Sequence, residues 1–190
     1  MKPSRVLISR EKIAARVAEM GRQITDDLAH RHGVDAKGGG GGRVVLVPVL
    51  TGSIVFVADL VRHMPVQMSI RPITISSYPG SATSTQGANI QGAVPTDLGG
   101  AHVIIADDIL DSGKTLGLLR RLIAAQNPAS LRIAVLLRKT EDTGRRLEHV
   151  DVEYVGFDIG DEFVIGYGLD YDGLYRNLPD IGVLDAETAG

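Results

Sequence analysis

The sequence predicts an α/β fold, in which helices flank a mostly parallel central sheet. Apolar segments with the length of buried strands alternate with segments of helical periodicity, and this alternation is typical of parallel strands joined by right-handed crossovers. A chain of 190 residues with 44% hydrophobic residues is long and apolar enough to bury one substantial core. We therefore expect a single domain over residues 1–190.

The composition excludes several classes of function. The chain has no cysteine, which excludes disulfides, thiolate nucleophiles and zinc sites built on cysteine. Aromatic residues make up 4% and the net charge is −3, so neither a base-stacking platform nor a basic surface for nucleic acid is expected. No apolar stretch reaches the roughly 18 residues of a membrane span, and the first residues lack an apolar signal core. We expect a cytoplasmic protein that acts on small molecules, with no nucleic-acid or membrane partner.

The first predicted element is a helix that begins after Ser9, a favourable N-cap residue, and ends near His32. Its apolar face consists of residues that recur at intervals of three and four: Ile13, Val17, Met20, Ile24 and Leu28. The five consecutive glycines at 38–42 predict a flexible connector, because such a run does not hold regular structure. The five histidines are scattered without metal-ligand spacing, so we expect surface positions for them.

The remaining elements continue the alternation. Residues 44–49 form an apolar strand, and a turn then leads into a helix over 54–63. A strand over 66–77 is interrupted by Pro72, because proline cannot donate to a central ladder. Residues 79–100 are polar and predict a long loop, which inside a compact domain is usually functional. The later elements are a helix over 114–125 and strands over 103–106, 131–137, 152–158 and 163–168.

Three candidate site segments begin where predicted strands end. Leu50, Asp107 and Lys139 each fall just after such a strand. Because ligands of parallel sheets bind at the carboxyl ends of the strands, we expect these segments to lie together at one edge of the sheet.

The most informative segment is VIIADDILDSGKTL, at 103–116. An apolar strand ends in Asp107 and Asp108, a short turn carries Asp111, and a small polar cluster precedes a helix. The N-terminus of a helix favours a phosphate, because its free N–H groups and dipole point at the anion. The neighbouring acids would be costly there unless they faced a cation or a sugar diol. The segment therefore predicts a site for a phosphorylated sugar, with a divalent metal.

Two other interpretations of this segment are weaker. Gly113, Lys114 and Thr115 match the end of a nucleotide-binding P-loop, but that motif requires a glycine at the position of Asp108. A solvated turn after a core strand is the second interpretation. Three acids, a glycine and two hydroxyls rarely crowd a strand end without a ligand, which disfavours it.

Residues 107–115, DDILDSGKT, resemble position by position the phosphoribosyl-diphosphate (PRPP) binding motif of the type I phosphoribosyltransferases. Residues 156–184 are similar to the purine-recognition region of the bacterial-type hypoxanthine-guanine phosphoribosyltransferases, and 46–62 and 133–139 match the same family. The resemblance extends over 44–184. It implies the type I phosphoribosyltransferase fold, with a small hood built from the terminal segments, whose C-terminal part covers about 156–184.

By this resemblance, the protein is expected to act in purine salvage. Members of the family transfer the 5-phosphoribosyl group of PRPP to N9 of hypoxanthine or guanine and release pyrophosphate. The implied cofactor is Mg²⁺, a hard cation that binds phosphate oxygens with few protein carboxylates. The implied assembly is a homodimer or a homotetramer.

The resemblance also implies roles for the acidic segment. Asp107 and Asp108 would bind the ribose hydroxyls directly or through the metal, and both are candidate metal ligands together with Asp170. Asp111 would be the general base near N7 of the purine, because an ordinary aspartate is ionised at neutral pH and can hold or remove a proton. A turn aspartate that bonds its own backbone is the alternative. The PRPP and 5′-phosphate group comprises Asp107, Asp108, Asp111, Ser112, Gly113, Lys114 and Thr115.

The implied purine-binding residues are Lys139, Phe163, Val164 and Asp170. Lys139 would donate to O6, which would favour 6-oxo over 6-amino purines, although an ordinary surface lysine is an equal alternative from the residues alone. Phe163 would stack on the purine, whereas a strand aromatic is more often a core residue. Val164 would supply backbone contacts to the base edge, and Asp170 would bind magnesium-pyrophosphate.

The implied pyrophosphate-binding residues are Leu50, Thr51, Gly52 and Arg176. The family has a non-proline cis peptide bond at the position of Leu50 and Thr51. Ser77 and Tyr78 match the start of a mobile loop over 77–100, whose closure would exclude water from the reaction centre.

Three features depart from the family pattern. Asp107 replaces a commoner glutamate, Thr51 stands where lysine or arginine is frequent, and the mobile loop lacks its usual acids. These differences bear on turnover and substrate preference more than on reaction class. Another acceptor, xanthine or guanine alone, stays an open alternative. A PRPP-sensing regulator of the same fold is a weaker one, because the chain has no basic surface.

Overall fold

A computed structural model describes residues 3–34, 40–76, 89–91 and 94–184. Its helices are α1 (Arg10–His32), α2 (Ile54–Leu60) and α3 (Lys114–Ala124). Two short 3₁₀ turns are Val61–His63 and Glu141–Thr143. Its strands are β1 (Arg5–Ile8), β2 (Val44–Leu50), β3 (Met68–Ile70), β4 (Ile73–Ser76), β5 (Asn89–Gln91), β6 (His102–Leu110), β7 (Ser130–Lys139), β8 (Tyr154–Ile159), β9 (Val164–Ile165) and β10 (Ile181–Val183).

The central sheet has seven strands. Six follow the order β5-β4-β2-β6-β7-β8, and β3 pairs with the first residues of β2. The pairs β2·β4, β2·β6, β6·β7 and β7·β8 are all parallel, whereas β5 runs antiparallel to β4. The predicted α/β class with a mostly parallel sheet is confirmed.

Helices cover both faces of this sheet, because side chains alternate along each buried strand. In β2, Leu46 packs in the cluster that contains the apolar faces of α1 and α2. Its neighbours Val45 and Val47 pack in a second cluster, which contains the buried residues of α3. The apolar face predicted for the first helix is buried over its whole length.

A second, smaller sheet joins the two ends of the described chain. Its three strands are antiparallel, in the order β1-β10-β9. The backbone N–H of Arg10 donates to Asp180 at 2.8 Å, which holds the start of α1 beside this sheet. The sheet corresponds to the expected hood, and β9 begins directly after Phe163.

Strand β6 is longer than the strand predicted over 103–106. It continues to Leu110, which is paired with Arg138 of β7. The prediction that Asp107 and Asp108 follow the strand was therefore wrong. Backbone pairing to a parallel neighbour does not require apolar side chains, so the ladder extends past both acids to the edge where the site lies.

Other boundaries also differ. The helix predicted over 54–63 ends at Leu60 and continues as a 3₁₀ turn. The strand predicted over 163–168 is only two residues long, because the chain turns away and Tyr167 has a φ of 51°. The break at Pro72 separates β3 from β4 as predicted. Ser77, Tyr78 and most of the predicted mobile loop lie outside the described residues.

One histidine contradicts the expected surface positions. His102 is buried, and its Nε2 lies 2.5 Å from the carbonyl oxygen of Gly41 while its Nδ1 lies 2.9 Å from the Ser130 hydroxyl. It thereby attaches the end of the glycine run to β6. Among the described helices, none has the length and apolar content to cross a membrane.

Candidate active site

A cleft of about 1340 Å³ opens at the carboxyl ends of β2, β6 and β7, between the central sheet and the hood. The three segments predicted to meet at this edge do meet there, because Leu50, Asp107 and Lys139 all line the cleft. The other site residues predicted from the sequence and described by the structure line it too: Thr51, Gly52, Asp108, Asp111, Ser112, Gly113, Lys114, Thr115, Phe163, Val164, Asp170 and Arg176.

Two adjacent carboxylates form the floor of the cleft. Asp107 is only 6% exposed, and its Oδ1 accepts the backbone N–H of Asp108 at 2.9 Å. Burial, followed by the negative charge of Asp108, raises the pKa of Asp107 well above its usual range. Burial also raises the pKa of Asp108. A pair of buried acids is stabilised in its ionised form by a cation or by hydroxyl donors from a ligand.

The donor set fits a magnesium ion held mainly by a substrate. Among the described residues, no group of three or more histidine, aspartate or glutamate side chains could hold a metal by itself. Asp107 and Asp108 offer carboxylate oxygens, whereas Asp170 on the opposite wall is already paired with Arg176. Mg²⁺ commonly binds to a small number of protein carboxylates and keeps water and the phosphate oxygens of a substrate as its other ligands. The cleft is large enough to hold such a substrate beside Asp107 and Asp108.

Gly52 allows the loop after β2 to approach these acids. A Cβ at position 52 would overlap the carboxylate of Asp108, so any larger residue would displace that side chain. The peptide bond between Leu50 and Thr51 is cis, as the resemblance implied. The Thr51 side chain is exposed at the cleft.

The loop between β6 and α3 forms one wall of the cleft. Gly113 has a φ of 84°, and a Cβ there would overlap the carbonyl of Glu148. The Ser112 carbonyl accepts the N–H groups of both Leu147 and Glu148, which fixes the loop from behind. The first-turn N–H groups of α3 have no acceptors within the helix, and Lys114, Thr115 and Leu116 of that turn line the cleft. The Lys114 side chain is exposed.

Lys139 and Phe163 form a second wall of the cleft. Lys139 is 5% exposed, and its Nζ lies 3.4 Å from Asp161. It is therefore not the ordinary surface lysine that was the alternative. Phe163 is 50% exposed, and its ring packs edge-on against that of Tyr171, with the two ring centroids 5.7 Å apart. The interpretation of Phe163 as a core residue was wrong, because the chain places it at the rim where β9 begins.

Arg176 and Asp170 lie together on the hood. Their side chains pair at 2.8 Å, and a second nitrogen of Arg176 donates to the carbonyl of Gly168 at 2.6 Å. Asp170 also accepts the N–H of Gly173 at 2.8 Å. These bonds fix both side chains at the cleft, and Arg176 retains further donors for an anion.

Several residues that line the cleft were not predicted as site residues, among them Arg145, Glu162 and Tyr171. Arg145 lies within 4.0 Å of Asp111, and Glu162 pairs with Arg5 of β1 at 3.1 Å. All three lie in irregular segments, where periodicity carries no signal.

Comparisons with known proteins identify the family of the chain. Residues 11–172 match the model of the phosphoribosyl transferase domain. Hypoxanthine-guanine phosphoribosyltransferase of Mycobacterium avium is 44% identical over 181 residues, which cover 95% of this chain and 85% of that protein. Hypoxanthine phosphoribosyltransferase of Escherichia coli K12 is 41% identical over 177 residues, which cover 93% of each chain.

Solved structures show the same fold. A hypoxanthine phosphoribosyltransferase from Staphylococcus aureus superposes with a TM-score of 0.84 at 36% identity, covering 99% of this chain and 95% of that one. A mutant hypoxanthine phosphoribosyltransferase from Trypanosoma cruzi, in a ternary substrates complex, superposes with a TM-score of 0.86 at 36% identity, covering 99% of this chain and 98% of that one. The chain therefore belongs to the phosphoribosyltransferase family, within the group of hypoxanthine and hypoxanthine-guanine phosphoribosyltransferases.

Proposed function

We propose that the protein transfers the 5-phosphoribosyl group of PRPP to N9 of hypoxanthine or guanine, releases pyrophosphate and so salvages purine bases. The observation that carries this proposal is the arrangement of the two walls. The loop at 111–115 and the wall formed by Lys139 and Phe163 line one cleft side by side, because Asp111 and Lys139 follow directly on the paired residues Leu110 and Arg138 of β6 and β7. This arrangement suits a sugar phosphate and a flat heterocycle held side by side.

Different residues of the cleft would bind different parts of PRPP. The loop N–H groups, with the hydroxyls of Ser112 and Thr115, would bind the 5′-phosphate. Asp107 and Asp108 would accept hydrogen bonds from the ribose hydroxyls. The anomeric carbon becomes positively charged as pyrophosphate departs, so carboxylates beneath the ring stabilise the transition state.

Recognition of the base would fall to the wall formed by Lys139 and Phe163. Lys139 would donate to O6, and a 6-amino purine would leave two donors facing each other. Phe163 would stack on the ring, and Val164 would offer backbone groups to its edge. Asp111 would hold or remove the purine proton near N7 while N9 attacks.

Pyrophosphate would be bound by the Leu50–Gly52 loop and by Arg176. Asp107 and Asp108, with Asp170, are the residues that would hold Mg²⁺ together with phosphate oxygens, and the bound ion would neutralise charge on the leaving group. The segment 77–100, which begins at Ser77 and Tyr78, would close over the cleft and exclude water.

Initial rates with PRPP, Mg²⁺ and each of hypoxanthine, guanine, xanthine and adenine test this proposal. Pyrophosphate release with hypoxanthine or guanine, and little with adenine, is the expected result. Turnover with xanthine alone would assign a different acceptor. Absence of turnover with every base would contradict the reaction and favour a PRPP-binding regulator.

We also infer a homodimer or homotetramer of single-domain subunits, located in the cytoplasm. Support comes from the relatives, whose solved structures include a study of the oligomeric state of the Trypanosoma cruzi enzyme. Light scattering coupled to gel filtration measures the subunit number, and a monomer at micromolar concentration would contradict the inference.

A further inference from the structure

Lys139 has fewer partners than its burial requires. Its side chain is 6% exposed, and an ammonium carries three N–H donors. Among the residues that the structure describes, its Nζ has one hydrogen-bond acceptor, Asp161 at 3.4 Å. The remaining donors are available to a ligand in the cleft that Lys139 lines.

Asp161 lies behind the wall that Lys139 and Phe163 form and does not line the cleft. It follows the end of β8 by two residues. Its Oδ1 accepts from Lys139 and also from Nε of Arg145. The hydrogen bond from Arg145 lowers the pKa of Asp161, so its negative charge persists beside the buried ammonium.

Two consecutive arginines join the walls of the cleft. Arg145 pairs with Asp161 and lies 4.0 Å from Asp111, so it stands between the two carboxylates. Arg146 donates to the backbone carbonyls of Asp111 at 3.2 Å and Lys139 at 2.9 Å. The phosphate loop and the end of β7 are thus connected through side chains and through main chain.

We propose that Asp161, held by Arg145, is a positioning residue that orients the Lys139 ammonium toward O6 of the purine. The charged groups around Lys139 come from three segments: Asp161 after β8, Arg145 and Arg146 after β7, and Asp111 after β6. Arg145 occupies the space between Asp111 and Asp161. Lys139 is thereby left with Asp161 and does not neutralise the group proposed to hold the purine proton. The proposal rests on the proposed function.

The Asp161→Asn variant tests it, because the amide preserves shape and removes charge. We expect the KM for hypoxanthine to rise roughly tenfold, on the scale of one charge-assisted hydrogen bond, with the KM for PRPP unchanged. Asp161→Glu, which keeps the carboxylate, should restore most of the affinity for hypoxanthine.

The matched control is Asp158→Asn. Asp158 is a β8 carboxylate of similar exposure that pairs with Arg138 at 2.6 Å and does not line the cleft. Its variant should keep wild-type kinetics. If Asp161→Asn folds poorly by circular dichroism, Asp161→Ser provides the same measurement.

The outcomes separate this inference from the proposed function. Turnover in the wild type, together with an unchanged hypoxanthine KM in Asp161→Asn, would overturn the positioning role alone. An equal rise in the KM values for hypoxanthine and PRPP would also overturn it, since it would show a general structural effect. Absence of wild-type turnover would overturn the proposed function and this inference with it.

Discussion

Asp111 combines two features that suit a group that holds a proton. Its Oδ1 is buried and has no hydrogen-bond partner among the described residues, while its backbone carbonyl is fixed by Arg146. The carbonyl bond anchors the residue without using the carboxylate. The alternative of a turn aspartate that bonds its own backbone is therefore less consistent with the contacts than the role of base.

Replacement of Asp111 by alanine should lower kcat far more than it raises the KM for PRPP. The variant keeps the loop N–H groups that would bind the phosphate and loses only the proton acceptor, whose contribution is on the order of 10²–10⁴-fold. Steady-state kinetics with both substrates measures the split, with Asp142→Ala as a control at an exposed acid away from the cleft. Equal effects on kcat and on PRPP binding would assign Asp111 a binding role only.

Gly52 is a second residue whose position can be tested. Alanine at this site would push the Asp108 carboxylate away from the cleft floor. Because the displaced atoms are the end of a side chain, we expect little loss of thermal stability and a loss of kcat/KM of roughly tenfold or more. Gly99→Ala is the control, since a Cβ there meets only one carbonyl at ordinary contact distance. Wild-type activity in Gly52→Ala would mean that the position of Asp108 is not critical.

At the scale of elements, the last turn of α1 is fixed by an aromatic contact with the sheet. The rings of His32 and His102 lie 4.2 Å apart, and Arg132 contacts His32 at 3.2 Å. Burial, followed by the charges of His102 and Arg132, lowers the pKa of His32. The folded state therefore disfavours the charged form of this histidine relative to the unfolded chain.

This contact should make stability depend on pH. Because the pKa of His32 is lower in the folded state, its stabilising effect is present above the unfolded value near 6.5 and is lost as the pH falls below it. The drop in urea midpoint from pH 7 to pH 5 should be smaller in His32→Gln than in the wild type. His30→Gln, an exposed histidine on the same turn, should behave like the wild type. An identical drop in His32→Gln would contradict the assignment.

Elements were predicted correctly where hydrophobic periodicity, a capping residue or a proline gave a clear local signal. They were predicted with wrong boundaries where no such signal was present. The helix from Ser9, the break at Pro72 and the apolar strand after residue 43 all have signals within a few residues. The prediction ended strand β6 too early because Asp107 and Asp108 interrupt its apolar run, although the pairing with β7 continues to Leu110. Tertiary pairing overrides local polarity in such cases.

The residues that line the cleft were predicted more accurately than the ends of the strands, because a motif consists of given residue types at fixed spacing. The acids of β6 and the start of α3 are contiguous in sequence, so one segment supplies a large part of the cleft lining. Arg145 and Asp161 were not predicted, because their role depends on distances between segments that only the folded chain brings together.

At the scale of the whole molecule, the cleft lies between the central sheet and the hood, which share the apolar cluster on one face of that sheet. The central sheet supplies the acids and the phosphate loop, whereas the segment from Phe163 to Arg176 is held by the hood. Ile181 of β10 is fully buried in the cluster shared by the hood, α1 and α2. Ile133 of β7 is equally buried in the other cluster, against α3.

Substitutions of these two isoleucines separate the contribution of the hood to purine binding from its contribution to the free energy of unfolding. Ile181→Ala and Ile133→Ala should each reduce the free energy of unfolding by about 2–5 kcal/mol. Because a cavity beneath β10 loosens β9 beside it, only Ile181→Ala should also raise the KM for hypoxanthine more than the KM for PRPP. Urea denaturation and steady-state kinetics of both variants measure these effects. Two outcomes would show that the hood does not position Phe163 and its neighbours for the purine. One is a selective loss of hypoxanthine affinity in Ile133→Ala, and the other is the absence of such a loss in both variants.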